Sequence, residues 1–118
     1  MCPRHGIHCL LQLDNDLPVR AAVLFEPFVI GTRGVRVLEP KPGDNAIVFG
    51  AGIIGMTSAI MLKWFGCDKV MVVDLSDFRL DNARRMGFLT CNSGKEDLLA
   101  RAQAEFGESP DRKSTRLN

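Results

Sequence analysis

The feature that most constrains the fold of this chain is a glycine-rich hexapeptide between two apolar segments. Residues Gly50–Gly55 read Gly-Ala-Gly-Ile-Ile-Gly and match the pattern G-x-G-x-x-G. The apolar run Asn45–Phe49 before them predicts a strand buried on both faces, and the apolar segment Met56–Phe65 after them predicts a helix. A glycine loop between a strand and a helix indicates a site for phosphate groups.

Each glycine has a physical role in a loop of this kind. Gly50 permits the tight turn, Gly52 has no side chain to keep a diphosphate from the backbone, and Gly55 lets the helix pack close to the strand. Free N–H groups near Ile53 and Ile54 lie at the positive end of the helix dipole and attract anions. The alternative is that the glycines only make a tight strand-to-helix turn.

Two further strand–helix pairs are predicted after this loop, with strands over Lys69–Asp74 and Phe88–Cys91. Ser76 is placed to cap the helix of the first pair, and Ser93 with Glu96 forms a capping box for the second. The predicted inward faces are Leu80, Ala83 and Met86 on the first helix and Leu98, Leu99, Ala102 and Phe106 on the second. This order predicts an α/β fold, the first half of a doubly wound parallel sheet.

Two helices are predicted before the sheet. Val19–Phe25 is apolar and contains alanine, and Pro18 suits the first turn of a helix. Glu26 precedes Pro27, and a residue before proline is disfavoured in a helix, so we predict a break at Glu26. A second helix is predicted from Pro27 to about Val37.

Asp74 is the candidate residue for binding a ribose. It ends the second predicted strand, where a carboxylate can accept hydrogen bonds from the hydroxyl groups of an adenosine ribose. Its negative charge repels a 2′-phosphate, which favours NAD over NADP. The alternative is a solvated aspartate at the end of a strand. Arg79 either lies over the adenosine or is an arginine on the helix surface.

Composition narrows the class of partner and the compartment. The 118 residues suffice for one small domain, and 15 basic side chains nearly balance 14 acidic ones. We therefore expect neither nucleic acid nor a membrane as a partner. The sequence has no apolar run long enough to cross a bilayer and no signal peptide, so we expect a cytoplasmic protein.

The cysteines indicate buried thiols in a reducing compartment. Cys67 and Cys91 stand alone in apolar surroundings. The amino-terminal residues Cys2, His5, His8 and Cys9 could be metal ligands, but their spacing fits no standard zinc motif.

Four motifs, in order along the chain, resemble zinc-dependent medium-chain dehydrogenases of the polyol type. They are Ala21–Gly31, Lys41–Asp44, the glycine loop continued by Met56, and Asp74–Leu80. The resemblance runs from about Leu13 to Ser109, and the nearest members are sorbitol, threonine and butanediol dehydrogenases.

This resemblance implies an activity and a set of site residues. Members of the family oxidise a secondary alcohol or polyol by hydride transfer to NAD, with zinc polarising the alcohol oxygen. It places Ile54, Asp74 and Arg79 at cofactor-binding positions. It places Glu26 beside the catalytic zinc, bound directly or through water; without the family, Glu26 would be a glutamate at a helix end. Family members form dimers or tetramers, so we expect a homo-oligomer.

The departures from the family indicate a fragment. The main zinc ligands of the family, a cysteine and a His-Glu pair, lie upstream of the matched region, and the structural zinc lobe and the second half of the sheet are also missing. We expect residues 1–38 to be the end of a catalytic domain and residues 39–109 to be a partial NAD-binding Rossmann domain. The fragment alone is expected to be inactive. The alternative is a non-catalytic module that senses NAD.

The final residues, Asp111–Asn118, do not resemble the family. They coincide with one reading frame of a common sequencing-adapter sequence, so we expect residues 110–118 to be a non-native tail. The alternative is a natural polar tail.

Overall fold

The sheet that follows the first two helices is parallel and three-stranded. The computed structural model describes residues 12–107. The elements are α1 (Val19–Ala22), α2 (Phe25–Val37), β1 (Asn45–Phe49), α3 (Ile53–Trp64), β2 (Lys69–Asp74), α4 (Asp77–Arg85), β3 (Leu89–Asn92) and α5 (Leu98–Phe106). The strand order is β1-β2-β3, with Ile47 paired to Met71 and Met71 paired to Leu89. The predicted α/β fold is confirmed.

The two faces of the sheet are covered by different helices, because successive side chains of a strand point to opposite faces. On one face, Val48, Val70 and Val72 are buried together with residues of α3 and α4. On the other face, the buried residues are Met71, Val73 and Cys91, and partly buried residues of α5 pack against them. Strand β2 therefore has buried side chains on both faces, as its continuous apolar sequence predicts.

Helix α2 packs on α3 at a close approach. A Cβ atom added at Gly31 would lie 2.7 Å from Oγ1 of Thr57 and 3.0 Å from the backbone nitrogen of Ser58. The Thr57 Oγ1 is also 3.1 Å from the carbonyl oxygen of Pro27, which is in the first turn of α2. The helix that precedes the sheet is thus fixed directly to the helix that begins at the glycine loop.

The predicted break at Glu26 is wrong. The break lies at Val23 and Leu24, and Glu26 and Pro27 are both in the first turn of α2. The first N–H groups of a helix have no partner within it, so a proline there removes no hydrogen bond. The preference of a residue before proline for an extended backbone is therefore outweighed.

Two further boundaries differ from the prediction. Helix α3 begins at Ile53 rather than Met56, because the Met56 N–H already donates to the carbonyl oxygen of Gly52, at 2.9 Å. The end of the glycine loop is therefore the first turn of the helix. Strand β3 runs one residue later than predicted, because Asn92 continues the ladder opposite Asp74.

The capping box predicted at Ser93 and Glu96 does not form. Asp97 caps α5, and its carboxylate accepts hydrogen bonds from the N–H groups of Leu99 and Ala100. Residues 93–96 instead form a turn, in which the carbonyl oxygen of Asn92 accepts the N–H groups of residues 95 and 96. That turn places the start of the helix beyond the predicted cap.

Two of the residues predicted to face inward are exposed. Met86 is 53% exposed because α4 ends at Arg85, before the next inward position. Leu99 is 68% exposed, whereas its neighbour Leu98 packs on the sheet. Successive residues of a helix are about 100° apart, so both leucines cannot face the same strand.

Strand β1 lies at an edge of the described sheet, and we predict that the chain self-associates there. Gly50 donates its N–H to Val73 at 2.7 Å, so alternation along a parallel strand directs the backbone groups of Asn45, Ile47 and Phe49 to the open side. Such an edge pairs with other chains, and a lysine on it discourages pairing. Phe49→Lys is expected to shift the chain toward monomer in sedimentation velocity over a concentration series.

The matched control for this prediction is Trp64→Lys. It replaces an exposed aromatic residue with lysine on a helix, α3, rather than on a strand; Trp64 is 81% exposed and Phe49 is 40% exposed. The prediction is wrong if the unmodified chain is monomeric at every concentration, or if both substitutions reduce association equally.

Candidate functional site

The glycine loop joins β1 to α3 at the carboxyl end of the sheet. Gly50 has a φ of +100°, a conformation that residues with side chains rarely adopt. A Cβ atom at Gly55 would overlap the carbonyl oxygen of Gly50 and lie 2.8 Å from its carbonyl carbon. At Gly52 a Cβ atom would have no atom within 4 Å, so the space beside this residue is open. Gly55 is thus required by packing, whereas Gly52 leaves room for a ligand.

The amino end of α3 offers hydrogen-bond donors. No side chain caps this helix, and its first intrahelical hydrogen bond is that of Met56, so the N–H groups of Ile53, Ile54 and Gly55 have no partner within the helix. These groups lie at the positive end of the helix dipole, where an anion is stabilised.

The Asp74 carboxylate reaches the glycine loop. Its Oδ2 accepts the N–H of Ala51 at 2.8 Å, and its Oδ1 accepts the N–H groups of Leu75 at 2.7 Å and Ser76 at 2.9 Å. The side chain is 12% exposed. The sequence predicts Asp74 at the carboxyl end of its strand. It does not predict the bond to Ala51, because that donor is a backbone group and carries no sequence signal.

Asp74 is ionised at neutral pH. Burial acts to raise the pKa of this carboxyl, but the three backbone N–H donors and the positive charge of Arg79 outweigh burial, and the pKa lies below its usual value. A carboxyl whose pKa is lowered by folding contributes stability that is present at neutral pH. That contribution is lost as the pH falls through the lowered pKa.

Arg79 lies on α4 beside this carboxylate. Its Nη1 is 4.0 Å from Oδ2 of Asp74, and its side chain is 59% exposed. The backbone N–H of Arg79 donates to Oγ of Ser76, which caps the helix as predicted. The structure therefore brings the glycine loop, Asp74 and Arg79 together at the carboxyl end of the sheet.

Asn92 also lies at the carboxyl end of the sheet, and the sequence analysis did not identify it. It is buried at the end of β3, and its Nδ2 donates to the carbonyl oxygen of Leu75 at 3.2 Å and to Oδ1 of Asp77 at 2.7 Å. Its Oδ1 accepts the N–H of Gly94 at 3.0 Å. These bonds join the loop after β2 to the loop after β3. Hydrogen bonds from the side chains of Lys95 and Asn92 hold the pKa of Asp77 below its usual value.

Glu26 is not part of a metal centre within residues 12–107. It is exposed in the first turn of α2. Residues 12–107 contain no group of three or more histidine, cysteine, aspartate or glutamate residues that could hold a metal ion. A protein zinc site needs at least three ligands, so these residues alone do not fit zinc.

The remaining candidates from the sequence fall into two groups. Cys67 and Cys91 are buried free thiols, as predicted, and burial raises the pKa of both. The possible ligands Cys2, His5, His8 and Cys9, and the tail 110–118, lie outside the described residues.

Among residues 12–107, no helix has the length and apolar character needed to cross a membrane.

Known proteins that resemble this chain are dehydrogenases, although no protein-family model matches it. L-threonine 3-dehydrogenase of Anaeromyxobacter sp. (strain K) is 38% identical over 97 residues, which are 81% of this chain and 28% of that enzyme. The chain spans about a quarter of the length of the curated relatives it matches.

Solved structures share the fold. The 2R,3R-butanediol dehydrogenase of Bacillus subtilis has a TM-score of 0.72 and 31% identity, over 82% of this chain and 28% of that one. An alcohol dehydrogenase of Escherichia coli CFT073, complexed with the cofactor NADH, has a TM-score of 0.72 and 30% identity, over 85% and 30%. Over most of its length, the chain is a homologue of the zinc-type medium-chain dehydrogenases, which include alcohol, threonine, butanediol and polyol dehydrogenases.

Proposed function

We propose that residues 39–109 are the half of an NAD-binding domain that holds the adenosine and diphosphate groups. The whole protein transfers hydride from a secondary alcohol or polyol to NAD. The observation that carries this proposal is the position of the Asp74 carboxylate, which touches the glycine loop at the uncapped amino end of α3. The NADH complex of a relative with the same fold supports the choice of cofactor.

The residues of the loop have separate roles in this proposal. The diphosphate lies beside Gly52, where the space is open, and accepts hydrogen bonds from the N–H groups of Ile53 and Ile54. Asp74 accepts a hydrogen bond from a ribose hydroxyl, since its Oδ2 has one protein donor and an oxygen of this kind can accept two. Its negative charge disfavours the 2′-phosphate of NADP. When bound, NAD supplies the hydride acceptor.

Zinc enters this proposal only through the longer protein. Residues 1–38 are proposed to be the end of its catalytic domain, where Glu26 approaches the metal directly or through water. The other ligands come from segments that this chain does not contain, so no step of the reaction is assigned to the described residues. The parent is proposed to be a cytoplasmic homo-oligomer, in keeping with the buried free thiols of Cys67 and Cys91.

The chain is expected to bind NAD more tightly than NADP and to catalyse no reaction. A titration of each nucleotide, followed by intrinsic fluorescence of Trp64, measures the binding. An assay for NADH with zinc and a panel of polyols measures turnover, which requires donor and acceptor to be held together. Zinc-dependent turnover by this chain contradicts the fragment assignment. Equal affinity for the two nucleotides contradicts the role of Asp74.

A further inference from the structure

The contact between Asp74 and Ala51 has no part in holding a ribose. Ala51 is 7% exposed and lies in the loop after β1. Its N–H donates to the carboxylate of Asp74, which ends the neighbouring strand β2. An N–H group buried without a partner costs free energy, so this bond satisfies a donor of a buried residue.

We propose that Asp74 is a positioning residue for the diphosphate loop, which it holds in the binding shape before any ligand arrives. The proposal rests on the proposed function, because it assigns the same loop to a diphosphate. It separates two roles of one side chain: the contact with a ribose, and the shape of the loop that receives the phosphates.

The loop needs such a restraint because of its composition. Ala51 lies between Gly50 and Gly52, and glycine has more backbone freedom than any other residue. The adjacent residues of β2 supply the restraint, since Val73 accepts the N–H of Gly50 at 2.7 Å and Asp74 accepts the N–H of Ala51 at 2.8 Å.

The carboxylate is itself held in place. Its Oδ1 accepts the N–H groups of Leu75 and Ser76, which fixes the direction in which Oδ2 points. An asparagine at this position has one acceptor oxygen and one donor nitrogen. It cannot accept from Ala51 and from the turn at the same time, so Asp74→Asn removes one of the two attachments with little change in shape.

The sign of the effect on a ligand without ribose hydroxyls distinguishes the two roles. Removing a negative charge near a diphosphate strengthens anion binding through the Coulomb interaction. Loss of the loop shape weakens it, because ligand binding must then order the loop. A ligand that Asp74 cannot contact through hydroxyl groups therefore reports on the loop alone.

The experiment measures the affinity of ADP and of 2′,3′-dideoxy-ADP for the chain and for Asp74→Asn. We expect the substitution to weaken binding of the dideoxy nucleotide about tenfold, the loss of one hydrogen bond to a charged group. Binding of ADP is expected to weaken further. The control is Asp77→Asn, which removes a neighbouring carboxylate that bonds Asn92 and Lys95 and not the loop. It is expected to leave both affinities unchanged or slightly higher.

Hydrogen exchange at single amides tests the proposal without a ligand. The Ala51 amide is expected to be protected in the unmodified chain and to exchange faster in Asp74→Asn, while the amides of β2 keep their protection. If the substitution unfolds the whole chain, protection of Ala51 in the unmodified chain decides the question. An unprotected Ala51 amide overturns the proposal.

The failures of the two proposals differ. Unchanged or tighter binding of the dideoxy nucleotide by Asp74→Asn, with weaker binding of ADP, overturns the positioning role and leaves the proposed function intact. If the unmodified chain binds neither nucleotide, the proposed function fails. The exchange of Ala51 then decides whether Asp74 orders the loop.

Discussion

Replacing Gly55 with alanine is expected to lower the free energy of unfolding by about 3 kcal/mol or more and to abolish nucleotide binding. The added Cβ atom would overlap the carbonyl group of Gly50, and neither group can move without separating α3 from β1. Overpacking against backbone costs more than overpacking against a flexible side chain. Chemical denaturation measures the stability, and the ADP titration measures the binding.

Gly52→Ala is the matched control for this prediction. A Cβ atom at Gly52 would have no neighbour within 4 Å, and its backbone has φ −75° and ψ −175°, which any residue adopts. Stability is expected to change by less than about 0.5 kcal/mol. Binding is expected to weaken, because the methyl group occupies the space proposed for the diphosphate. Equal loss of stability in the two variants would contradict the separate roles assigned to these glycines.

Leu80→Ala is expected to destabilise the chain by about 2–5 kcal/mol, the usual cost of emptying a fully buried leucine site. Leu80 is 0% exposed on α4, in the cluster that contains Val48 and Val72. Thermal or urea unfolding measures the change. Native domains have a total stability of only about 5–15 kcal/mol, so this single substitution is expected to remove a large fraction of it.

The control makes the same chemical change at Leu99. This residue lies on α5 and is 68% exposed, so its truncation is expected to change stability by less than about 0.5 kcal/mol. The sequence pattern assigned both leucines to inward faces. A similar loss of stability in the two variants would therefore favour the sequence pattern over the structure at α5.

The sheet could be predicted from sequence because its signals are local. The apolar runs of β1 and β2 have the predicted bounds, and the glycine loop lies between β1 and α3 as its pattern requires. The cap of α5 could not be predicted. Ser93 and Asp97 are both suitable caps by residue type, and the choice depends on Asn92, whose carbonyl group bends residues 93–96 into a turn.

The site was predictable to a similar extent. The spacing of the motif predicts Gly50 to Gly55 and Asp74 as site residues, and in the structure they lie together at the carboxyl end of the sheet. The bonds of Ala51 to Asp74 and of Asn92 to Leu75 join residues 17 or more positions apart. These hydrogen bonds depend on how the three strands are aligned with one another. They could not be predicted from the sequence, because that alignment is known only from the structure.

The unequal cover of the two sheet faces sets the order in which this unit comes apart. None of the nine residues of α5 is buried, whereas α3 and α4 bury side chains against the opposite face. Local opening has the lowest cost where the least apolar surface is buried. Release of α5 exposes Met71, Val73 and Cys91 while the opposite face stays packed. A protease that cleaves after Leu98 or Phe106 is therefore expected to act on the chain from which α5 has been released, before global unfolding.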